Sequence, residues 1–298
     1  MKKFICSLLL LVAASPVMAN ITIFACEPEW AALSQELGGN KVTVFSATTA
    51  LQDPHYIQAR PSLIAKARQA NLLVCTGSDL EAGWLPLLQR KSGNPAIQTG
   101  ASGYFMATDY VDLLDVPSSL DRSQGDIHAA GNPHIQTSPL KILQVAQALS
   151  QRLQQIDSAN ATVYQQHWQD FEQRWQTAIK KWQQQALPLK GIPIVVQHNS
   201  WPYLFEWLGL HKVAVLESKL GVPPTVKDLH NVLQKLKVTP AKIVLNAAYQ
   251  SPRATDWLTN KTAITKVTLP FTVGGNDQSN DLFSLFDNTI QLLLDAKQ

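Results

Sequence analysis

The feature that most restricts what this chain can fold into is a run near its middle, Ser158 to Leu187, that holds neither Pro nor Gly. Its bulky apolar residues are Tyr164, Trp168, Phe171, Trp175, Ile179 and Trp182. Steps of three or four place them on one side of an α-helix, with Gln, Lys, Arg and Glu on the other. At 1.5 Å rise per residue such a helix reaches roughly 40 Å, about the width of a domain. A rod of that length can join two lobes; the alternative is a long helix within one larger α domain. What flanks it favours two lobes.

Before the run, strands alternate with helices: ITIFAC, then a helix stopped by Gly38-Gly39, then KVTVFSA, a helix opened by Pro61-Ser62, and NLLVC. A polar, Asp-containing loop follows from Thr108 to Pro133, and then a helix from about 139 to 155. The alternation resumes beyond Pro193 with IVVQ, WPYLFEWLG, VAVLE, a helix over about 225–237, KIVLN, a helix over about 253–260, VTLPFTV and a last helix over about 281–296. Strictly alternating elements predict an α/β fold with mostly parallel sheets flanked by helices. The expected organisation is a leader over 1–19, an α/β lobe over 20–157, a linking helix over 158–187 and a second α/β lobe over 188–298. Roughly 280 residues suffice for two cores.

The leader reading rests on Lys2 and Lys3, the apolar stretch CSLLLLVAA and the small-x-small pattern Val17-Met18-Ala19, which together describe a cleavable secretory signal. The apolar stretch is too short to span a bilayer, and no Cys stands at the cleavage point to take a lipid. Export to the periplasm is the expectation. Of 25 basic residues, loss of Lys2 and Lys3 leaves 23 against 22 acidic, a balance that offers no surface for nucleic acid or anionic lipid. Cys26 and Cys75 remain in an oxidising compartment and read first as a disulfide, with unlinked thiols or thiolate metal ligands as the alternatives.

Three of the seven histidines stand at element boundaries: His55 in Asp53-Pro54-His55, His134 in Gly131-Asn132-Pro133-His134, and His198 at the end of Val195-Val196-Gln197. Three imidazoles converging from two lobes suit a divalent metal, with Zn²⁺ favoured by nitrogen-rich donors. His128 competes with His134 within one loop, while His167, His211 and His230 lie on or beside helices and read as structural or solvated. No HExxH, GxSxG, GxGxxG or P-loop is present, which lowers the expectation of catalysis. A secreted zinc hydrolase using the same three histidines is the alternative function.

Taken together, Asp53-Pro54-His55, Arg60-Pro61-Ser62, the Ala70–Val74 strand with Gly77-x-x-Leu80-Glu81-x-x-Trp84, the Pro133-His134 pair before Ser138-Pro139, and His198-x-x-Trp201-x-Tyr203-Leu204 resemble the solute-binding proteins of zinc and manganese ABC importers. The resemblance spans the mature chain. It implies two lobes bridged by a rigid helix, a non-enzymatic receptor that works as a monomer with an inner-membrane ABC-type permease, and one metal ion held by His55, His134 and His198. A His at the third position tilts the metal toward Zn²⁺ over Mn²⁺. The family draws a fourth ligand, an acid, from the loop after the last strand, where this chain reads Leu269-Pro270-Phe271-Thr272-Val273-Gly274-Gly275. Asp281 is the expected substitute, carried back by the Gly274-Gly275 pair, with Asp277 or water as alternatives. Asp281 also reads as the N-cap of the last helix.

Overall fold

The computed structural model describes residues 20–119, 125, 127–219 and 221–297; the leader predicted over 1–19 lies outside them. The first lobe holds β1 (Ile21–Ala25), α1 (Pro28–Gly38), β2 (Val42–Ser46), α2 (Pro61–Arg68), β3 (Leu72–Cys75), α3 (Leu85–Ser92), β4 (Tyr104–Met106) and α4 (Pro139–Ile156). Next comes α5 (Ala161–Ala186). The second lobe follows with β5 (Pro193–Val196), α6 (Pro202–Leu208), β6 (His211–Val215), α7 (Val226–Val238), β7 (Ile243–Ala247), α8 (Arg253–Thr259), β8 (Thr265–Leu269) and α9 (Leu282–Ala296).

Each lobe has a four-stranded sheet whose paired strands are parallel, ordered β2-β1-β3-β4 and β6-β5-β7-β8. The two orders are the same topology repeated, so each sheet delivers its loops to the carboxyl ends of its strands, where ligands of open α/β sheets bind. The central strands are apolar throughout, as strands covered on both faces must be: Leu72, Leu73 and Val74, and Ile194, Val195 and Val196, are fully buried.

Helix α5 has 26 residues, about 39 Å of rod. The six residues of the predicted stripe, with Ala186, are its buried side. That side packs on α4, α1 and α9, and the indoles find polar partners as buried Trp requires: Trp175 Nε1 donates to the Pro139 carbonyl at 2.8 Å and Trp182 Nε1 to Asp287 Oδ1 at 2.7 Å. Around α5 runs one continuous apolar core that includes Ile23, Val74 and Phe105 of the first sheet and Ile194, Leu245 and Val267 of the second.

The register Ala25↔Val74 carries Cys26 opposite Cys75, and the two form a disulfide with their Cα atoms 4.8 Å apart. A Glu81 carboxylate oxygen lies within 4.8 Å of both sulfurs, but sulfurs tied to each other are not thiolate ligands. The thiol and thiolate alternatives fall with that bond. No helix among the described residues is long and apolar enough to cross a membrane.

Candidate metal centre

His55, His134 and His198 meet in the cleft between the lobes, and His128 joins them. Ring centroids of His55 lie 5.4 Å from His128, 5.6 Å from His134 and 6.1 Å from His198, and His134 stands 5.8 Å from His198. Each ring arrives from a loop leaving the carboxyl end of a strand.

His55 sits in a single 3-10 turn, Pro54–Tyr56, started by Asp53, whose carboxylate accepts from the His55 backbone N–H at 3.0 Å and from Nδ1 at 2.8 Å. Trp84 Nε1 clamps the turn by donating to the Pro54 carbonyl at 3.0 Å. Burial alone would raise the Asp53 carboxyl pKa; the hydrogen bonds and nearby charge of His55 outweigh that and hold it below its usual value. His198 follows β5 directly, and its Nδ1 meets Glu217 Oε2, in the loop after β6, at 2.7 Å. His128 Nδ1 donates to the Ser78 carbonyl at 2.8 Å. Ser78 and Asp79 hold φ of 48° and 64°, a region uncommon for residues with a Cβ. The turn is retained where it serves the cleft, since Ser78 also donates its hydroxyl to the Gly131 carbonyl at 2.6 Å. Gly131 itself has φ of 125°, and a Cβ there would stand 2.7 Å from Leu113 Cβ, so only glycine fits.

His134 is held by its backbone. Its N–H donates to Asn132 Oδ1 at 3.0 Å, while Asn132 Nδ2 crosses to the Asn199 carbonyl at 2.8 Å and Tyr203 Oη donates to the Asn132 carbonyl at 2.6 Å. The second lobe thus fixes the loop that carries His134. The His134 ring is 1 % exposed, and its Nδ1 has no hydrogen-bond partner. Burial, then the neighbouring His55, lowers its pKa well below the ordinary histidine value; the same two causes bring His128 down to about 4. Both rings are therefore neutral near pH 7, the state that binds metal.

Three rings share one device. Nδ1–H is spent outward on Asp53, Glu217 or a carbonyl, which fixes the tautomer and leaves the Nε2 lone pair for a ligand. His55 Nε2 and His128 Nε2 face each other at 3.3 Å. Two nitrogens on one tetrahedral zinc, each about 2.0–2.1 Å from it, stand roughly 3.3–3.4 Å apart. The remaining rings are looser: among the described residues no three of the four bring one nitrogen each within 4.8 Å of one another.

The acid expected from the last loop is elsewhere. Asp281 caps α9, accepting from the Ser284 N–H at 2.8 Å while Ser284 Oγ accepts from its N–H at 3.0 Å. It is exposed and lines a hollow with Glu36 and Arg174 that shares no residue with the cavity beside His55 and His198. The Gly274-Gly275 pair does not carry it back. Gly274 N–H donates to the Ser279 carbonyl at 2.6 Å, and Asn288 Nδ2 ties Asn276 and Ser279 to α9 at 2.9 and 3.1 Å. Asp277 points into solvent from the same tied loop. At the cleft the loop presents Phe271, whose ring lies 5.3 Å from that of His134. His128 stands nearer to His55 and His134 than either acid, its ring 5.4 Å and 6.3 Å from theirs, on a loop whose path the sequence does not reveal. Of the other histidines, His167 Nδ1 bonds the Leu37 carbonyl at 3.0 Å, His211 opens β6 exposed, and His230 packs on Trp257.

The family described as zinc-uptake complex component A, periplasmic, matches residues 23–296. The metal ABC transporter substrate-binding lipoprotein SloC of Streptococcus mutans is 24 % identical over 225 residues, covering 74 % of this chain and 71 % of its own. The manganese ABC transporter substrate-binding lipoprotein PsaA of Streptococcus pneumoniae is 24 % identical over 249 residues, covering 82 % and 74 %. Among solved structures, ZnuA superposes with a TM-score of 0.75 at 19 % identity over 94 % of this chain and all of its own. A manganese-bound periplasmic metal-binding protein of Candidatus Liberibacter asiaticus gives 0.75 at 14 % over 93 % and 99 %. Both likenesses concern the fold. With the family match spanning both lobes, the chain belongs to the periplasmic zinc-uptake component A family and is the metal-binding component of an ABC importer, not an enzyme.

Proposed function

We propose that this chain captures Zn²⁺ in the periplasm, as a monomer exported by a cleaved leader, and hands it to an inner-membrane ABC permease. The ion is held by His55, His128, His134 and His198. One observation carries the reading: two imidazoles whose Nδ1 atoms are engaged elsewhere bring their Nε2 atoms to 3.3 Å of each other, the separation of two nitrogens on one tetrahedral zinc. Four nitrogen donors and no carboxylate suit zinc, whereas manganese prefers oxygen. A manganese site would need Asp53 or Glu217 to leave its histidine, and Phe271 stands at the corner where an acid ligand would come from the last loop.

Release follows from movement of the loops that bear the rings, because α5 and the shared core resist rotation of the lobes. Calorimetric titration of the demetallated mature protein tests the reading. Zinc binds at one per chain and manganese at least a hundredfold more weakly. Equal affinity for the two metals, or zinc affinity unaltered by His55→Ala, His128→Ala and His198→Ala, sinks it.

A further inference from the structure

Two of the four rings hang on one short stretch of chain that both lobes grip. His55 is set by Asp53 and Trp84, and His198 by Glu217, each within its own lobe. His128 and His134 stand at the two ends of the returning leg of the loop beyond β4, where the Gly131 N–H donates to the His128 carbonyl at 3.1 Å. Their own lobe holds that leg at Ser78, which bonds the His128 ring and the Gly131 carbonyl. The other lobe holds it at Asn132, between the two rings.

Tyr203, in the first turn of α6, is fully buried. Its hydroxyl donates to the Asn132 carbonyl at 2.6 Å and accepts from the Leu114 N–H at 3.0 Å. Leu114 belongs to the outgoing leg of the same loop, and the legs are paired there: the Asn132 N–H donates to the Leu114 carbonyl at 2.8 Å. They lie too close for a side chain between them, since a Cβ on Gly131 would stand 2.9 Å from that carbonyl. A phenol has one proton to give and lone pairs to receive, so this single hydroxyl bridges both legs and closes the neck of the loop. Asn199 adds an outer clasp. Its carbonyl accepts from Asn132 Nδ2 at 2.8 Å, its Nδ2 donates to Asp115 Oδ2 at 2.7 Å, and Lys212 Nζ holds its Oδ1 at 2.7 Å. Asp115 meets the clasp with φ of 51°, a conformation kept where the surroundings over-determine it. Asn199 and Tyr203 both follow closely on His198, so one short segment of the second lobe places its own ring and grips the leg that carries two others.

We infer that Tyr203 is a positioning residue of the metal centre: its hydroxyl locks the leg bearing His128 and His134 against the segment bearing His198, and this lock sets how long an ion stays bound. Rings held ready lose little freedom when they close on an ion, and differences in affinity between variants of one site fall mainly on the rate of release. The inference rests on the four-histidine reading of the centre, and the test separates the two.

Zinc-loaded protein is mixed with excess coloured chelator in a stopped-flow instrument, and zinc affinity is measured by competition with the same chelator. Tyr203→Phe keeps the ring and leaves two buried backbone groups without their partner, so zinc should leave about tenfold faster, with association changed by less than about threefold. The substitution is repeated in two backgrounds, because residues that act through one another are not additive. With His134→Ala it should cost less than about threefold in zinc affinity, and with His55→Ala it should keep its cost of about tenfold. A substitution that only loosens the fold costs the same in both backgrounds, and that result overturns the inference, as does release unaltered by Tyr203→Phe. Should Tyr203→Phe fail to fold, Asn199→Ala takes its place: it opens the outer clasp to Asp115 alone, and release no faster than that of the unaltered protein overturns the inference. Zinc affinity indifferent to both histidine substitutions overturns the four-histidine reading and the inference with it.

Discussion

The two sheets repeat one topology, yet their strand ends are used in opposite ways. At the centre of the first sheet, Cys26 and Cys75 close on each other, and behind them Glu27, Glu81, Thr76 and Trp30 form a buried network. Glu81 accepts from the N–H groups of Thr76 and Gly77 at 2.7 and 3.0 Å, and Trp30 Nε1 donates to Thr76 Oγ1 at 2.8 Å. The first lobe offers its imidazoles only from long loops beyond β2 and β4. In the second sheet the equivalent central strand ends directly in Gln197 and His198, and the space that acids and a disulfide fill in the first lobe is a cavity. Identical topology fixes where a site can form; side chains decide whether a strand end is sealed for stability or opened for binding.

This contrast can be broken by experiment. The largest effect is expected in the sealed lobe: replacing Cys26 and Cys75 by Ala frees a loop spanning 49 positions and lowers unfolding stability by about 4 kcal/mol on the chain-entropy account. Zinc affinity should stay within threefold, and a larger loss would mean that the sealed strand ends do shape the site. Next, His134→Ala should weaken zinc binding a hundredfold or more, about 3 kcal/mol. That is one ligand's share of the roughly 10–16 kcal/mol typical of four-ligand zinc sites; competition with a coloured chelator measures it.

Smaller is the effect of Glu29, buried and bonded across the lobes to Thr272 Oγ1. Burial drives its carboxyl up to about 7. The folded state then holds a proton that the unfolded state releases between about pH 4.5 and 7, so this group costs stability as pH rises through that window. Glu29→Gln should therefore stabilise the protein at pH 8 by up to about 3 kcal/mol, with the gain fading toward pH 4.5; denaturant melts at pH 8 and 5 check the sign. Smallest is Glu217→Gln in the open lobe. Loss of the carboxylate behind a ligating His should cost about tenfold in zinc affinity with the melting temperature little changed, the mirror image of the disulfide variant.

Much of the fold was legible because it obeys simple periods. The aromatic stripe of α5 repeats every three or four residues, and the strands are short apolar runs between helices with Pro at their starts. Helix α3 and strand β4 carry less signal: one is eight residues with a Pro in its first turn and the other only three, and they depend for their form on packing against α2 and pairing with β3 respectively. In the site, His55, His134 and His198 stood out through their neighbours in sequence. His128 did not, because its place depends on the bond from its ring to the carbonyl of Ser78, fifty residues away in the chain, a tertiary matter. Asp281 misled for a related reason. A carboxylate just before a helix has a local use that outcompetes a distant ion, and the reciprocal bonds with Ser284 are that use.

The apolar core that runs unbroken from one sheet to the other around α5 has a consequence for how the cargo leaves. Neither half can melt while the other keeps its packing, so heating should give a single cooperative transition, with calorimetric and van't Hoff enthalpies equal. A permease that strips the ion cannot do so by unravelling one half of its receptor. It has only the ring-bearing loops at the mouth of the cleft to pull on.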